Sequence, residues 1–347
     1  MAIVTKLDEI MKERGYTLYK LAQEVGITAV NLSHIKSGNI SSIRFSTLNE
    51  ICKTLKCTPG DILKYEELEK RNVIPLFLDY SGTTDLLLRG GVENVKTFFD
   101  SIIAMQKKSD CEVRIIIVTG SAFESARSKY KLLYELAENY GLPDLFDSAI
   151  AEYCGFLIKK DKSEKLLTLD TKILDNKSKI ESIISKYGGK INPDVTSLYN
   201  VMFDEISRID LSIASEEIDA VIDSEDIETI TYYDEYGKEC DIKPKRHSKS
   251  EAVLMIAERL NKKYNIPFLI IGGDSQEEDL KMYTKNKKKI NELGIETVFI
   301  APSNIETLAQ DDKNIIVGSW ENSNGIAQCI QNLTSRIKVK EEGAIEI

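Results

Sequence analysis

Val73-Ile74-Pro75-Leu76-Phe77-Leu78-Asp79-Tyr80-Ser81-Gly82-Thr83-Thr84 is the stretch that decides how this chain is read. Six successive apolar residues suit a strand buried on both faces. They deliver a carboxylate, Asp79, to a turn that Gly82 permits. Further near-continuous apolar runs occur at 113–118, 267–271, 297–301 and 315–317, with amphipathic helical stretches between most of them. Strands and helices in alternation predict a doubly wound α/β core, whose ligands sit at the carboxyl ends of the strands.

The chemically suggestive residues fall at those ends. The first strand ends at Asp79, and the second at Thr119-Gly120-Ser121, a hydroxyl and a glycine turn suited to a phosphoryl oxygen. Lys249 opens a helix in His247-Ser248-Lys249-Ser250-Glu251-Ala252, and the third apolar run leads into Gly272-Gly273-Asp274-Ser275-Gln276-Glu277-Glu278-Asp279. In this order the four segments resemble the four motifs of haloacid-dehalogenase-like (HAD) phosphatases: nucleophile, hydroxyl, lysine and acidic pair. Residues 150–158 are similar to the segment by which Cof-type and trehalose-phosphatase-like members leave their core, and 240–245 to their return strand. The resemblance spans nearly everything from Val73 onward. It implies a Rossmann-like HAD core at 73–151 and 244–347, with an inserted α+β cap at 152–243 that holds a hairpin turn near 232–237.

A phosphoryl group brings dense negative charge, so a carboxylate nucleophile beside it needs a cation. Asp79, Asp274 and Asp279 offer hard oxygens that suit Mg²⁺, and the family adds the backbone carbonyl of position 81, here Ser81. Thr119, Gly120 and Lys249 would steady the phosphoryl oxygens. By the resemblance, Asp79 attacks phosphorus and forms an aspartyl-phosphate. The family's residue two positions on is an acid that protonates the leaving group and then activates water. This chain has Ser81 there, and a hydroxyl does not titrate near neutral pH. Loss of such acid–base help costs about 10²–10⁴-fold in rate.

Residues 1–70 read differently. Helices are expected at 5–15, 18–25, 28–37, 45–55 and 59–65. Thr17 is placed as an N-cap, Gly26 and Gly38 as terminators, and Pro59 opens the last helix. The run Thr17-Leu18-Tyr19-Lys20-Leu21-Ala22, then Gly26-Ile27-Thr28, then Leu32-Ser33-His34-Ile35-Lys36-Ser37-Gly38 resembles the Cro/repressor (XRE) class of helix-turn-helix DNA-binding domains, here spanning 1–68. That implies a helix from Thr28 entering the major groove. Ala29, Val30, Asn31 and His34 would then meet base edges, Asn31 on adenine and Ala29 or Val30 on a thymine methyl. Thr17, Lys20, Ser42 and Arg44 would hold phosphates. A helical protein-interaction module is the alternative for this region.

The charge is placed to match. The chain totals −10, yet residues 1–70 carry ten Lys/Arg against nine Asp/Glu. From 204 to 241 there are fourteen acids against Arg208 and Lys238. That run is either a solvated face or a surface that repels polyanions and leaves DNA to the N-terminus. A module so weakly basic implies a homodimer on a two-part operator. Lys243, Lys245, Arg246 and His247 form a basic cluster that either meets a phosphate or balances nearby acids. Six scattered cysteines without a CxxC pair suit reduced thiols and a cytoplasmic protein, and no apolar run is long enough to cross a membrane.

Three functions are compatible with these residues. One is a transcription regulator whose HAD-like domain senses a phosphorylated small molecule with Mg²⁺ and turns it over slowly or not at all. Another is an active Mg²⁺-dependent phosphatase with an accessory helix-turn-helix domain. The third is a switch in which Asp79 takes a phosphoryl group and keeps it.

Overall fold

The structure is a computed structural model that describes the chain except residues 1, 39, 41, 67–69, 86, 88–90, 234–236, 276–277, 303–311 and 341–343. The middle of the expected linker at 66–72, the tip of the expected hairpin turn, and Gln276 and Glu277 therefore lie outside the described residues. The chain divides into two compact units, 1–70 and 71–347.

In the first unit a strand β1 (Ala2–Thr5) precedes five helices: α1 (Leu7–Glu13), α2 (Leu18–Val25), α3 (Ala29–Ser37), α4 (Phe45–Leu55) and α5 (Pro59–Ile62). Strand β2 (Leu63–Glu66) closes the unit, antiparallel to β1 with Ile3 opposite Tyr65. Leu7, Ile10, Leu21, Leu32, Ile35, Ile51 and Leu55 meet in its core. Thr17 and Thr28 cap α2 and α3, each accepting from the backbone N–H three residues on, and Gly26 and Gly38 end those helices in left-handed conformation. The strand pair was not expected. A fifth helix of one turn cannot sustain itself, so Leu63–Glu66 leaves it to pair with the β-branched Ile3-Val4-Thr5.

The second unit begins with β3 (Val73–Asp79), followed by α6 (Val92–Ser109), β4 (Glu112–Val118), α7 (Phe123–Asn139) and β5 (Phe146–Ala151). A return hairpin, β6 (Phe156–Ile158) and β7 (Ser163–Lys165), comes next. Then come α8 (Thr171–Asp175), α9 (Lys177–Lys186), β8 (Gly189–Ile191), β9 (Tyr199–Phe203), α10 (Arg208–Ile222), β10 (Ile227–Tyr233) and β11 (Lys238–Pro244). The chain finishes with α11 (Lys249–Lys263), β12 (Phe268–Gly272), α12 (Asp279–Thr284), α13 (Lys287–Glu292), β13 (Glu296–Ala301), β14 (Ile315–Val317), α14 (Asn322–Arg336), β15 (Lys338–Val339) and β16 (Ile345–Glu346).

The main sheet runs β14-β13-β12-β3-β4-β5-β6-β7, parallel as far as β5, with β6 and β7 antiparallel at the edge. Residues of β3 alternate between two cores. Ile74, Leu76 and Leu78 pack with Phe98, Phe99 and Ile330, whereas Val73 and Phe77 pack with Ala257, Leu260 and Tyr283. Burying each such side chain is worth roughly 1.5–3 kcal/mol. From β3 the chain winds outward through β4 and β5, then returns to β12 on the other side of β3. The switch in winding direction lies between β3 and β12, so a crevice opens at their carboxyl ends. Asp79 and Asp274 stand on its two sides.

A second sheet, β10-β11-β9-β8, is wholly antiparallel. It is backed by α9 and α10 through Ile180, Ile184, Leu211 and Ile218. Strands β6 and β7 lie inside the range expected for an insert, 152–243, yet hydrogen-bond to the main sheet. The tight turn at Glu152–Gly155 sends them straight back along β5. Among the described residues no helix is long and apolar enough to cross a membrane.

Candidate functional site

Asp79 ends β3 with 5% of its surface exposed. Lys249 is the first residue of α11, and Ser248 caps that helix by accepting from the Glu251 N–H. The Lys249 ammonium lies 2.7 Å from Asp79 Oδ1, 2.9 Å from Asp279 Oδ1 and 3.1 Å from Glu278 Oε2. Asp274, just beyond β12, joins them: one oxygen each from Asp79, Asp274 and Asp279 lie within 4.8 Å of one another. One ammonium thus faces four carboxylates. Burial pushes the Asp79 carboxyl up to about 7, with Lys249 pulling it down and Asp279 and Asp274 pushing further up. Burial and Asp279 likewise raise Asp274. Burial works against the Lys249 charge, but Asp79, Asp279 and Glu278 together hold its pKa well above the ordinary lysine value.

The turn after Asp79 is shaped for this crowding. Gly82 has φ +68°, and a Cβ there would come within 2.1 Å of Asp274 Oδ2. Thr83 Oγ1 donates to Asp274 Oδ1, and Thr84 Oγ1 donates to the Asp79 carbonyl. Ser81 sits in the same turn with an exposed side chain.

Thr119 follows β4, the strand beside β3, and is buried. Its hydroxyl is engaged by its own loop: it donates to Ser121 Oγ at 3.0 Å and accepts from the Ser121 N–H at 3.1 Å. Lys129, two turns into α7, donates to Ser121 Oγ at 2.9 Å and lies over the Tyr80 ring. Of the expected set, Asp79, Lys249, Asp274 and Asp279 meet directly, while Thr119 and Gly120 occupy the neighbouring strand end. Sequence reasoning missed Lys129 and Glu278. Glu278 stood inside the quoted acidic segment, whereas Lys129 lies eight residues past Ser121 with no local motif to mark it.

Tyr153 was also missed, and its ring lies over the Gly120 turn. Glu152 and Tyr153 both adopt left-handed backbone, with φ 49° and 60°. Strain of this kind needs support from the surroundings. Here the Glu152 N–H donates to the Ser121 carbonyl and the Tyr153 N–H to the Thr119 carbonyl. The fully buried Glu152 carboxylate accepts from the backbone of Phe123, Thr196 and Ser197 and from the Ser197 hydroxyl. The Tyr153 ring lies so close over Gly120 that a Cβ there would meet it at 2.9 Å. Its hydroxyl donates to Asp241 Oδ2 and lies 2.6 Å from the Tyr232 hydroxyl, which reaches Glu278. This row of groups separates two cavities. One, of about 430 Å³, is lined by Gly120, Ser121, Asn200, Glu239 and Asp241. The other, of about 560 Å³, is lined by Lys249, Ser275, Glu278 and several further lysines.

On the first unit, α3 turns Leu32 and Ile35 inward and leaves Val30, Asn31 and His34 exposed, Val30 at 65%. Ala29, nominated for a base contact, is half-buried and packs against the core. Thr17, Lys20, Ser42 and Arg44 are exposed. The Lys20 ammonium lies 4.8 Å from the centre of the Tyr16 ring.

Residues 6–67 match the model of the Cro/C1-type HTH DNA-binding domain. The HTH-type transcriptional regulator YozG of Bacillus subtilis (strain 168) is 41% identical over 85 residues, covering 24% of this chain and 99% of YozG. The N-terminal unit belongs to the Cro/C1-type helix-turn-helix family. The Cro/C1-type unit accounts for about a fifth of the chain, and the α/β unit has HAD-superfamily proteins among its structural neighbours. The Thermoplasma acidophilum protein 0175 superposes with a TM-score of 0.49 at 13% identity, over 76% of this chain and 98% of its own. The trehalose-6-phosphate phosphatase of Aspergillus fumigatus gives 0.46 at 12%, over 77% and 93%. The HAD subclass IIB sugar phosphatase BT4131 gives 0.47 at 11%, over 75% and 98%.

Proposed function

We propose that the chain is a cytoplasmic, DNA-binding transcription regulator whose HAD-like α/β unit binds a phosphorylated small molecule together with Mg²⁺. It holds that molecule with weak turnover or none. The observation that carries this reading is a contrast within one turn. Asp79 is buried and gripped by Lys249, whereas position 81 presents an exposed serine hydroxyl. Glu278, which also faces the larger cavity, is committed to Lys249 and Tyr232.

The donor set fits a divalent cation. Three clustered carboxylates offer hard oxygens, and four carboxylates around one ammonium leave negative charge that a dianionic phosphate could not join unaided. Asp79, Asp274 and Asp279 would hold the ion, with the Ser81 carbonyl as a further ligand, and it would supply charge neutralisation for the phosphoryl oxygens. Lys249 would orient one of those oxygens, and Thr119 and the Gly120 N–H others. Asp79 would attack phosphorus, forming a P–O bond as the ester oxygen departs. That oxygen needs a proton, and Ser81 cannot supply one at neutral pH. The intact set of Asp79, Lys249, Asp274 and Asp279 favours the second reading, an active phosphatase with an accessory DNA-binding domain, for ligands whose leaving group departs unprotonated.

The Cro/C1-type unit would act as a homodimer on a two-part operator, with Asn31, Val30 and His34 over base edges and Thr17, Lys20, Ser42 and Arg44 on phosphates. DNA selected in vitro by the full chain, titrated with a panel of phosphorylated metabolites and Mg²⁺, tests the coupling. One panel member should change DNA affinity about fivefold or more, in the range of ordinary allosteric coupling, and Asp79→Asn should abolish that response. An affinity indifferent to the whole panel, with fast ester hydrolysis, would favour the second reading.

A further inference from the structure

The basic cluster expected at 243–247 is divided by the fold. Lys243 is 2% exposed, its ammonium 2.7 Å from Glu228 Oε1 and 2.9 Å from the His247 carbonyl. Arg246 faces Asp170. His247 is fully buried against the Ser197 hydroxyl. Lys245 alone of the four lines the 560 Å³ cavity with a side chain that has no ion pair among the described residues.

Two lysines from elsewhere join it. Lys281 and Lys285, four residues apart on α12 and its end, share one helix face and line the same wall. Like charges at that spacing destabilise a helix slightly unless something lies between them. The two acids in the wall, among the described residues, are already partnered, Glu228 with Lys243 and Glu278 with Lys249. Among the described residues, Lys245, Lys281 and Lys285 therefore face the cavity with uncompensated charge. Beyond Tyr153 and Tyr232 the balance inverts: among the described residues, the 430 Å³ cavity has Glu239 and Asp241 in its wall and no lysine or arginine. The tyrosine pair thus separates a cationic chamber from an anionic one, and Lys249 forms part of the cationic chamber's lining. A volume of 560 Å³ is that of a small-molecule site.

We propose that this chamber is a second anion subsite, in which Lys245, Lys281 and Lys285 take a second phosphoryl group of the ligand whose first is held at Asp79 and Lys249. The ligand class is then a compact bisphosphorylated metabolite. Lysine ammonium groups bind phosphate as point charges without fixed geometry, which suits an open-walled chamber. The inference rests on the reading of Asp79 and Lys249 as a phosphoryl site, so its test is built to separate the two.

Calorimetric titration of the full chain with Mg²⁺ compares glucose 6-phosphate with glucose 1,6-bisphosphate. The bisphosphate should bind about tenfold tighter or more, and Lys281→Gln/Lys285→Gln should bring it within about threefold of the monophosphate while leaving the monophosphate unchanged. Equal affinities in the wild type, or equal losses for both probes in the variant, overturn the proposal. A second measurement follows inorganic phosphate by ³¹P NMR on Asp79→Asn without Mg²⁺, which removes the nucleophile and the ion and leaves the chamber lysines in place. Saturable binding there that disappears in the added lysine variant upholds the subsite, even if neither sugar phosphate binds; that outcome would count against the Asp79 reading alone. No saturable binding, or binding indifferent to the two lysines, overturns the subsite.

Discussion

On the Cro/C1-type unit, Asn31 and His34 project from a helix fixed from behind by Leu32 and Ile35. In the α/β unit, Asp79, Lys249 and Asp279 are 5%, 8% and 1% exposed, and the Lys249 ammonium holds both carboxylates. The first arrangement separates the scaffold from the residues that would touch a partner. The second merges them, because the groups that would handle a phosphate also neutralise one another inside the fold. Substitutions should therefore divide cleanly, changing binding alone in one unit and binding together with stability in the other.

The largest break in that contrast should come from Lys249→Met. It leaves Asp79, Asp279 and Glu278 facing one another without their shared cation. Breaking a buried pair costs about 3–5 kcal/mol. Chemical denaturation followed by probes in each unit should show that loss in the α/β transition and none in the Cro/C1-type transition. Equal loss in both units would break the comparison.

A second effect comes from His247. Burial lowers its pKa to about 4, helped by the Lys243 and Arg246 charges. The unfolded chain takes a proton near 6.5, before the folded one does. Stability from the neutral ring is therefore full above that pH and is lost as pH falls toward 4, by up to roughly 3 kcal/mol. Melting of the α/β unit should fall more steeply between pH 7 and pH 5 in the wild type than in His247→Asn. Parallel slopes would remove His247 from the account.

The smallest stability effects, with clear binding effects, belong to the first unit. Asn31→Ala should cost about 1–3 kcal/mol of DNA affinity at one base position. Lys20→Ala should weaken all sequences alike and lower the salt slope by about one. Both should leave melting within about 0.5 kcal/mol of the wild type. A large stability loss from either would mean that the exposed face is part of the scaffold after all.

Legibility in the sequence followed the same division. Strands β3, β4, β12, β13 and β14 were readable because each holds a near-continuous apolar run, and β5 was not, because Asp147 and Ser148 break it near its start. Helices α2 and α4 match their expected spans, with caps and apolar spacing agreeing. The β1–β2 pair was hidden, since its partners are some sixty residues apart and short. At the α/β site, the residues on strand ends could be nominated one motif at a time. Tyr153, Tyr232, Lys129 and the lysines of α12 could not, because only the folded chain brings β10 and α12 to the mouth of the crevice at β3. Position 81 was legible as a departure, since a serine stands where the resemblance implies an acid.

The measurement that bears most directly on the account is steady-state phosphate release from glucose 6-phosphate, an alkyl ester whose leaving oxygen needs a proton, with Mg²⁺, comparing wild type, Ser81→Asp and Asp79→Asn. Wild type should lie close to the Asp79→Asn background, and Ser81→Asp should exceed it by about 10²–10⁴-fold. A wild type that hydrolyses the ester at ordinary enzyme rates, with Ser81→Asp no faster, would contradict it.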